Sequence, residues 1–147
     1  MENTHIYRIL DVNFNRLKEG LRVVEEYFRF VSVNEDYLNN LKKIRHKITD
    51  LIKDNDIIYE LIKARDIESD SIAYSYTENE AKRENVIDVL FCNFQRIKES
   101  LRVLEEYSKI IDKSFGEQFQ EMRFEIYKLE KKVLKERGES IDSVNQR

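Results

Sequence analysis

Two arginines occupy positions where the sequence pattern predicts apolar side chains. Arg45 lies between Leu41 and Ile48 on the apolar side of one segment, and Arg123 lies at the equivalent place in a second segment. An arginine that faces a protein core needs an anionic partner or a wet cavity, because an unpaired buried charge is very costly. Two interpretations follow: each guanidinium pairs with a carboxylate such as Glu130, or both bind an anionic ligand.

Further polar residues lie at the edge of an apolar stripe and occur twice. Asn13 and Arg16 are repeated as Asn93 and Arg96, 80 residues later. A guanidinium group suits phosphate or carboxylate oxygens, and an amide offers a donor and an acceptor to the edge of a ring. We therefore expect one cleft for a small anionic ligand. The residues expected to line it are Asn13, Arg16, Arg45, Asn93, Arg96 and Arg123.

A third cluster lies between the two copies, in the stretch KARD followed by Asp70. Carboxylates such as Asp66 and Asp70 on a loop can hold Mg²⁺, usually with phosphate oxygens completing the coordination shell. The competing interpretation is a polar loop in which Asp66 caps or turns the chain.

An internal repeat predicts that the arginines and asparagines lie on helices. Residues 13–27 read NFNRLKEGLRVVEEY and residues 93–107 read NFQRIKESLRVLEEY, with eleven of the fifteen positions identical. Apolar residues recur three and four positions apart in both copies, which is the period of an amphipathic helix. The stripe of the first helix comprises Leu10, Phe14, Leu17, Leu21, Val24, Phe28 and Val31. Gly20 beside this stripe indicates that a backbone or a ligand approaches closely.

A second amphipathic segment follows each copy after a short loop, and short loops join antiparallel neighbours. The sequence therefore predicts an all-α protein: an antiparallel four-helix bundle of two pseudo-twofold-related hairpins, plus a short connecting helix. Asn34, Thr77 and Ser114 are the expected N-caps. The expected single domain spans 1–137, with hairpin 1 at about 5–53, a connector at 54–77 and hairpin 2 at about 78–137, followed by a flexible tail at 138–147.

Composition and charge exclude several classes of function. The chain has 147 residues, no proline, three glycines and a net charge of -3, which disfavours a nucleic-acid partner. A single cysteine, Cys92, fits a reducing compartment. No apolar run approaches the 18 or more residues of a membrane span, so we expect a cytoplasmic protein with no membrane contact. Glycine-rich phosphate-binding motifs are absent from the sequence.

The quoted strings, together with LKKIRH and MRFEIYKLE, are distributed along almost the entire chain, and they resemble a known family. This family is the helical domain found upstream of thiamine-phosphate synthase in some bacteria and also as a stand-alone protein. It has been proposed as an alternative hydroxymethylpyrimidine-phosphate kinase. The sequence departs from the family pattern at Val12, Ser71 and Cys92.

The resemblance implies a substrate, cofactors and site residues. The substrate would be a small phosphorylated pyrimidine, and the cofactors would be ATP and Mg²⁺. Arg65 would join the phosphate-binding arginines, while Asp66 and Asp70 would be the catalytic and metal-binding residues. The alternative function is a non-catalytic helical module that dimerises or docks on thiamine-phosphate synthase, with a homodimer as one outcome.

Overall fold

Four long helices form the body of the protein. The computed structural model describes the backbone of residues 3–145 and the side chains of residues 3–137 other than residue 79. Helix α1 (Thr4–Glu26) continues into a π-helical turn at Tyr27–Val31. The remaining helices are α2 (Glu35–Asp54), α3 (Ile58–Ala64), α4 (Glu78–Ala81), α5 (Val86–Ser108) and α6 (Lys113–Asn145).

The predicted all-α class is confirmed, since residues 3–145 contain no strand, and α3 is the expected short connecting helix. Within the same residues, no helix has both the length and the hydropathy that crossing a membrane requires. The backbone of α6 continues to Asn145. The side chains of the expected flexible tail, 138–147, lie outside the described residues, so its flexibility stays a prediction.

Side-chain oxygens cap the N-termini of four of the described helices, namely α2, α4, α5 and α6. Asn34 and Thr77 each accept a hydrogen bond from the backbone N–H three residues further on, as predicted. The prediction for α6 was wrong by two residues, because Asp112 takes the place expected for Ser114. The Asp112 carboxylate accepts hydrogen bonds from both the backbone N–H and the hydroxyl of Ser114, each at 2.8 Å. A carboxylate also interacts favourably with the positive end of the helix dipole.

The apolar stripes of the four long helices meet in one core. The first helix buries its predicted stripe as far as Phe28, but Val31 is 57% exposed. The wider π-helical turn shifts the period at this point, so the side chains after Phe28 no longer follow the stripe. The partners in the core are Leu41, Ile44, Ile48 and Leu51 from α2, Leu90, Phe94, Ile97, Leu101 and Leu104 from α5, and Phe115, Phe119, Met122, Ile126 and Leu129 from α6.

Helix α1 packs most extensively against α5, and Gly20 lies where α1 faces α5 closely. A Cβ atom at Gly20 would lie 3.0 Å from Cγ1 of Ile97 and 3.6 Å from the carbonyl oxygen of Asn93. The equivalent residue of the second copy, Ser100, is also small and is buried. The glycine predicted to mark a close approach therefore accommodates a neighbouring helix.

Helices α2 and α6 are joined by Tyr37, whose hydroxyl donates a hydrogen bond to Glu136. Burial raises the pKa of Tyr37 to about 12, and the hydrogen bond to Glu136 and its negative charge act in the same direction. The neutral phenol is therefore favoured in the folded state more strongly than in the unfolded chain.

This shift predicts a specific loss of stability in alkali. The folded pKa of Tyr37 lies above its ordinary value of 10.0, so its contribution is fully present below pH 10 and is lost as the pH rises towards about 12. Tyr37→Phe should flatten the fall in the free energy of unfolding across that window, as measured by urea denaturation at a series of pH values. Tyr59→Phe, at an exposed tyrosine, is the control. Equal slopes for the wild type and Tyr37→Phe would contradict the assignment.

Candidate functional site

Arg45 and Arg123 are both held by buried glutamates, and the two pairs are equivalent in the repeat. Nε and Nη2 of Arg45 donate to Glu25 at 2.9 and 3.2 Å. The same atoms of Arg123 donate to Glu105 at 3.0 and 3.4 Å. The expected carboxylate, Glu130, was the wrong partner. Each pair ties the second helix of a hairpin to the first, which is a structural use of the arginines.

The surroundings of Arg123 reinforce its charge. Burial lowers the pKa of this arginine, but hydrogen bonds to Tyr127 and Glu105 and the charge of Glu105 outweigh that effect, so the pKa lies above its ordinary value. Its guanidinium carbon lies 5.1 Å from the ring centre of Phe124 and 5.8 Å from that of Tyr127. Nearby, Glu130 accepts a 2.9 Å hydrogen bond from Lys98 instead. The expected carboxylate is thus already occupied.

The two repeated asparagines hydrogen-bond to their own helices. Nδ2 of Asn13 donates to the carbonyl of Ile9 at 2.9 Å, and Nδ2 of Asn93 donates to the carbonyl of Val89 at 2.8 Å. This bond from residue i to residue i−4 commits the amide nitrogen. The Oδ1 atom of Asn13 is left as an acceptor for a neighbouring group.

Two arginine contacts hold the connector against α1. Nε and Nη2 of Arg65 each donate to the Asp11 carboxylate at 2.7 Å, and Asp11 is almost fully buried. The hydrogen bond to Asp11, followed by its charge, raises the pKa of Arg65 above the ordinary value. From α1, Nη2 of Arg8 donates to the backbone carbonyl of Asp66 at 2.7 Å. Arg65 therefore fixes the path of the chain after α3, and its own charge is neutralised.

An open cleft of about 510 Å³ lies between α1 and the connector just beyond these contacts. We call it the α1–connector cleft. It is lined by His5, Arg8, Ile9, Val12, Asn13 and Arg16 from α1 and by residues 69–72 from the connector. Three of the predicted site residues therefore come together here: Asn13, Arg16 and Asp70.

Arg16 differs from Arg45 and Arg123, the two arginines that are paired with buried glutamates. Its side chain is exposed, and it has neither an ion pair nor a hydrogen bond with any residue that the structure describes. Arg96, its equivalent in the repeat, also has a side chain without such a partner, but Arg96 and Asn93 do not line the cleft. The single cleft expected from the pattern is thus only partly formed, and Arg16 is its free cation.

The two connector aspartates have local partners in a turn. The Ser69 hydroxyl, followed by the Ser69 backbone N–H, lowers the pKa of Asp66 by hydrogen bonding. Asp66 itself is exposed and does not line the cleft. Oδ1 of Asp70 accepts a bond from the backbone N–H of Ile72 at 3.2 Å. These bonds match the turn-forming interpretation of Asp66.

The fit of these residues to Mg²⁺ is limited to one carboxylate at the cleft. No group of three or more His, Cys, Asp or Glu side chains arranged to hold a metal ion occurs in the described part of the chain. Mg²⁺ in phosphate-processing sites often takes only one or two protein carboxylates and completes its shell with phosphate and water oxygens. Asp70 would be the protein ligand in such an arrangement.

The sequence pattern missed the acidic partners of the arginines. Glu25 and Glu105 occupy the same place in both copies, four residues after Leu21 and Leu101. That spacing brings a carboxylate onto the buried side of the helix and could have identified both. Asp11 gave no comparable signal, because the second copy has Phe91 at its place.

Comparison with known proteins places the chain in a family. The model of the ThiD2 family matches residues 8–132, which is most of the chain. This chain belongs to the ThiD2 family. No solved structure matches it significantly.

Curated relatives are longer proteins. A thiamine-phosphate synthase of Synechocystis sp. is 38% identical over 131 residues, covering 89% of this chain and 37% of the relative. A thiamine-phosphate synthase of Nostoc punctiforme is 36% identical over 129 residues, covering 88% of this chain and 35% of the relative. The chain therefore spans little more than a third of the length of these relatives.

The geometry of Arg45 predicts a large penalty when it is removed. Arg45→Met should cost about 3–5 kcal/mol of unfolding free energy, because it leaves the Glu25 carboxylate, only 2% exposed, without its counter-ion. Arg22→Met is the matched control, since Arg22 forms an exposed pair with Glu26 and should cost less than about 1 kcal/mol. Urea denaturation measures both. The double variant Glu25→Leu/Arg45→Met should regain most of the loss, and equal costs for the two arginines would show that Arg45 is free to serve a ligand.

Proposed function

We propose that this helical domain serves thiamine biosynthesis by binding hydroxymethylpyrimidine phosphate in the α1–connector cleft and phosphorylating it. Membership of the ThiD2 family and similarity to proteins named thiamine-phosphate synthase support the pathway. The observation that carries the binding site is Arg16, an exposed arginine in a cleft of about 510 Å³ with no anionic partner among the described residues.

The cleft offers complementary groups to a phosphorylated ring. Arg16 and Arg8 bring two positive charges to the cleft. Arg8 also donates to the Asp66 carbonyl, and its charge helps to lower the pKa of the Asp66 carboxyl. A guanidinium fork can bind two phosphate oxygens at once. The free Oδ1 of Asn13 can accept a hydrogen bond from an amino group of a pyrimidine, while Ile9 and Val12 offer apolar contact to the ring.

The proposed reaction transfers a phosphoryl group. An oxygen of the bound phosphate monoester attacks the terminal phosphorus of ATP, the bond from that phosphorus to the bridging oxygen breaks, and ADP leaves with the electron pair. Such transfers depend mainly on positioning and on stabilisation of charge. Arg16 and Arg8 would hold the acceptor phosphate, and Mg²⁺, when bound, would neutralise the charge on the nucleotide phosphates beside Asp70. Asp66 would act by shaping the turn that presents Asp70.

The binding half of the proposal is tested with Arg16→Ala. This substitution removes a charge-assisted contact to the phosphate, so binding of hydroxymethylpyrimidine phosphate should weaken at least tenfold in isothermal titration calorimetry. The free energy of unfolding should change little, because Arg16 has no ion pair within the described protein. Arg96→Ala is the matched control, because Arg96 is the equivalent free arginine outside the cleft. Equal effects of the two substitutions would place the site elsewhere.

The catalytic half requires a separate measurement. Wild-type protein with ATP, Mg²⁺ and hydroxymethylpyrimidine phosphate should yield ADP and the pyrophosphate ester in equal amounts. Phosphorus NMR measures both products. If the protein binds the ligand but forms no product, under conditions in which a known kinase turns over, it is a binding domain and the kinase activity is ruled out.

A second candidate function is docking on thiamine-phosphate synthase. Phe30, Val31 and Val33 project from the turn between α1 and α2 with exposed fractions of 65%, 57% and 74%. Adjacent exposed apolar residues are typical of a protein–protein contact, and the relatives carry a region of this kind within a longer chain.

Docking predicts complex formation through this turn. The wild-type protein and a thiamine-phosphate synthase should migrate together in sedimentation velocity, and Phe30→Ser/Val33→Ser should abolish the complex. Ile62→Ser/Ile72→Ser, at two exposed apolar residues elsewhere, is the control pair. A homodimer that is lost with the same substitutions would assign the turn to self-association instead.

A further inference from the structure

A second concave surface lies on the opposite pair of helices, between α2 and α6. We call it the lysine groove. Its volume is about 290 Å³, and its lining residues are Asn40, Lys43 and Ile44 from α2 and Glu125, Lys128, Leu129 and Lys132 from α6. The groove shares no lining residue with the α1–connector cleft.

The three lysines of the groove are not neutralised by the protein. Lys43, Lys128 and Lys132 are exposed, and none has an ion pair or a hydrogen bond with a residue that the structure describes. Lys128 and Lys132 lie one helical turn apart, where like charges destabilise a helix by a few tenths of a kcal/mol. Among the residues that the structure describes, Glu125 is the only carboxylate that lines the groove. The arrangement thus concentrates positive charge at some cost to the folded protein.

The floor of the groove is apolar and fixed. Ile44 and Leu129 are 4% and 6% exposed and belong to the core. The positions of the lysine backbones are therefore set by well-packed helices, and only the side chains need to adjust to a ligand. Because the backbone is already ordered, binding costs only the entropy of the lysine side chains.

The internal repeat shows that the fold does not require these charges. Shifting by the 78-residue offset of the second helices, Lys43 corresponds to Glu121, Lys128 to Asp50 and Lys132 to Asp54, while Glu125 corresponds to Lys47. The sign of the charge is reversed at all four positions, although the apolar floor is kept as Met122 and Leu51. A solvated surface needs only polar residues. As a result of this reversal, the three lysines lie together in one groove.

We infer that the lysine groove binds the polyphosphate group of a small molecule. Three ammonium groups around a small concavity match the several closely spaced negative charges of a di- or triphosphate, and lysine binds phosphate as a mobile point charge. A nucleoside triphosphate and a pyrophosphate ester share the required chemistry. The inference does not depend on the proposed function, because it involves separate residues.

The test uses the whole chain and inorganic triphosphate as the probe, titrated calorimetrically at about 0.15 M salt, where exposed charges are screened beyond about 8 Å. Saturable binding of triphosphate is expected. Lys43→Gln/Lys128→Gln/Lys132→Gln should weaken it at least tenfold. Glutamine is nearly as good a helix former as lysine, so the variant should keep its fold, which circular dichroism verifies.

Two matched controls make the result specific. Lys47→Gln/Lys53→Gln/Lys113→Gln removes the same charge from exposed positions of α2 and α6 outside the groove and should change the affinity less than twofold. Arg96→Ala, at an exposed arginine that lines neither the groove nor the α1–connector cleft, should also leave triphosphate binding unchanged. Equal losses in the two lysine variants, or an equal loss in Arg96→Ala, would overturn the inference.

Two further ligands identify the source of the polyphosphate. ATP and inorganic pyrophosphate are titrated in the same way, and binding of either one that depends on the groove lysines supports the site and names its class. Binding of ATP without any binding of inorganic triphosphate would overturn the inference, because the base or the sugar would then be the group that is recognised. Absence of saturable binding by all three probes would overturn it as well.

Discussion

Three carboxylates lie almost entirely out of water, and each is matched by an arginine. Glu25, Glu105 and Asp11 are between 2% and 4% exposed. An ionised carboxylate at that depth has to be paired, and a guanidinium fork pairs it in one orientation. The elements that carry the arginines are therefore fixed by the carboxylates: α2 against α1, α6 against α5, and the connector against α1. Removal of one partner would leave a charge that neither water nor protein could satisfy.

Asp11 is the carboxylate that breaks the symmetry of the repeat. Its equivalent in the second copy is Phe91, so α5 has no acid at the place where an arginine of the connector could bind. The connector accordingly lies along α1. This one difference gives Arg16 a wall of connector residues opposite it, while Arg96 remains outside the cleft. The different surroundings of the two equivalent arginines, Arg16 and Arg96, thus originate in a neighbouring residue.

Much of the fold could be predicted from the sequence, because a stripe of apolar residues and a repeat are local patterns. The burial of Leu17 and Ile97 follows directly from their period. The geometry of the candidate site was less predictable. The chemistry of Arg45 correctly required an anion, but periodicity gives no distance between helices and so could not choose Glu25 over Glu130. Pairings across the bundle depend on helix rotation and tilt, which the pattern does not contain.

The close contact of α1 and α5 at Gly20 also bears on how such a chain can exist at low concentration. A lone hairpin would bury this apolar face only after meeting a second copy, so its folding would depend on the amount of protein. A covalent connection makes the encounter intramolecular, at an effective concentration that for short flexible linkers is on the order of millimolar. Each half then packs against the other half of its own chain in preference to an identical half of another chain. The first helices of the two halves share eleven of fifteen residues. Because the halves are joined in one chain, their surface residues can differ without preventing the two halves from pairing.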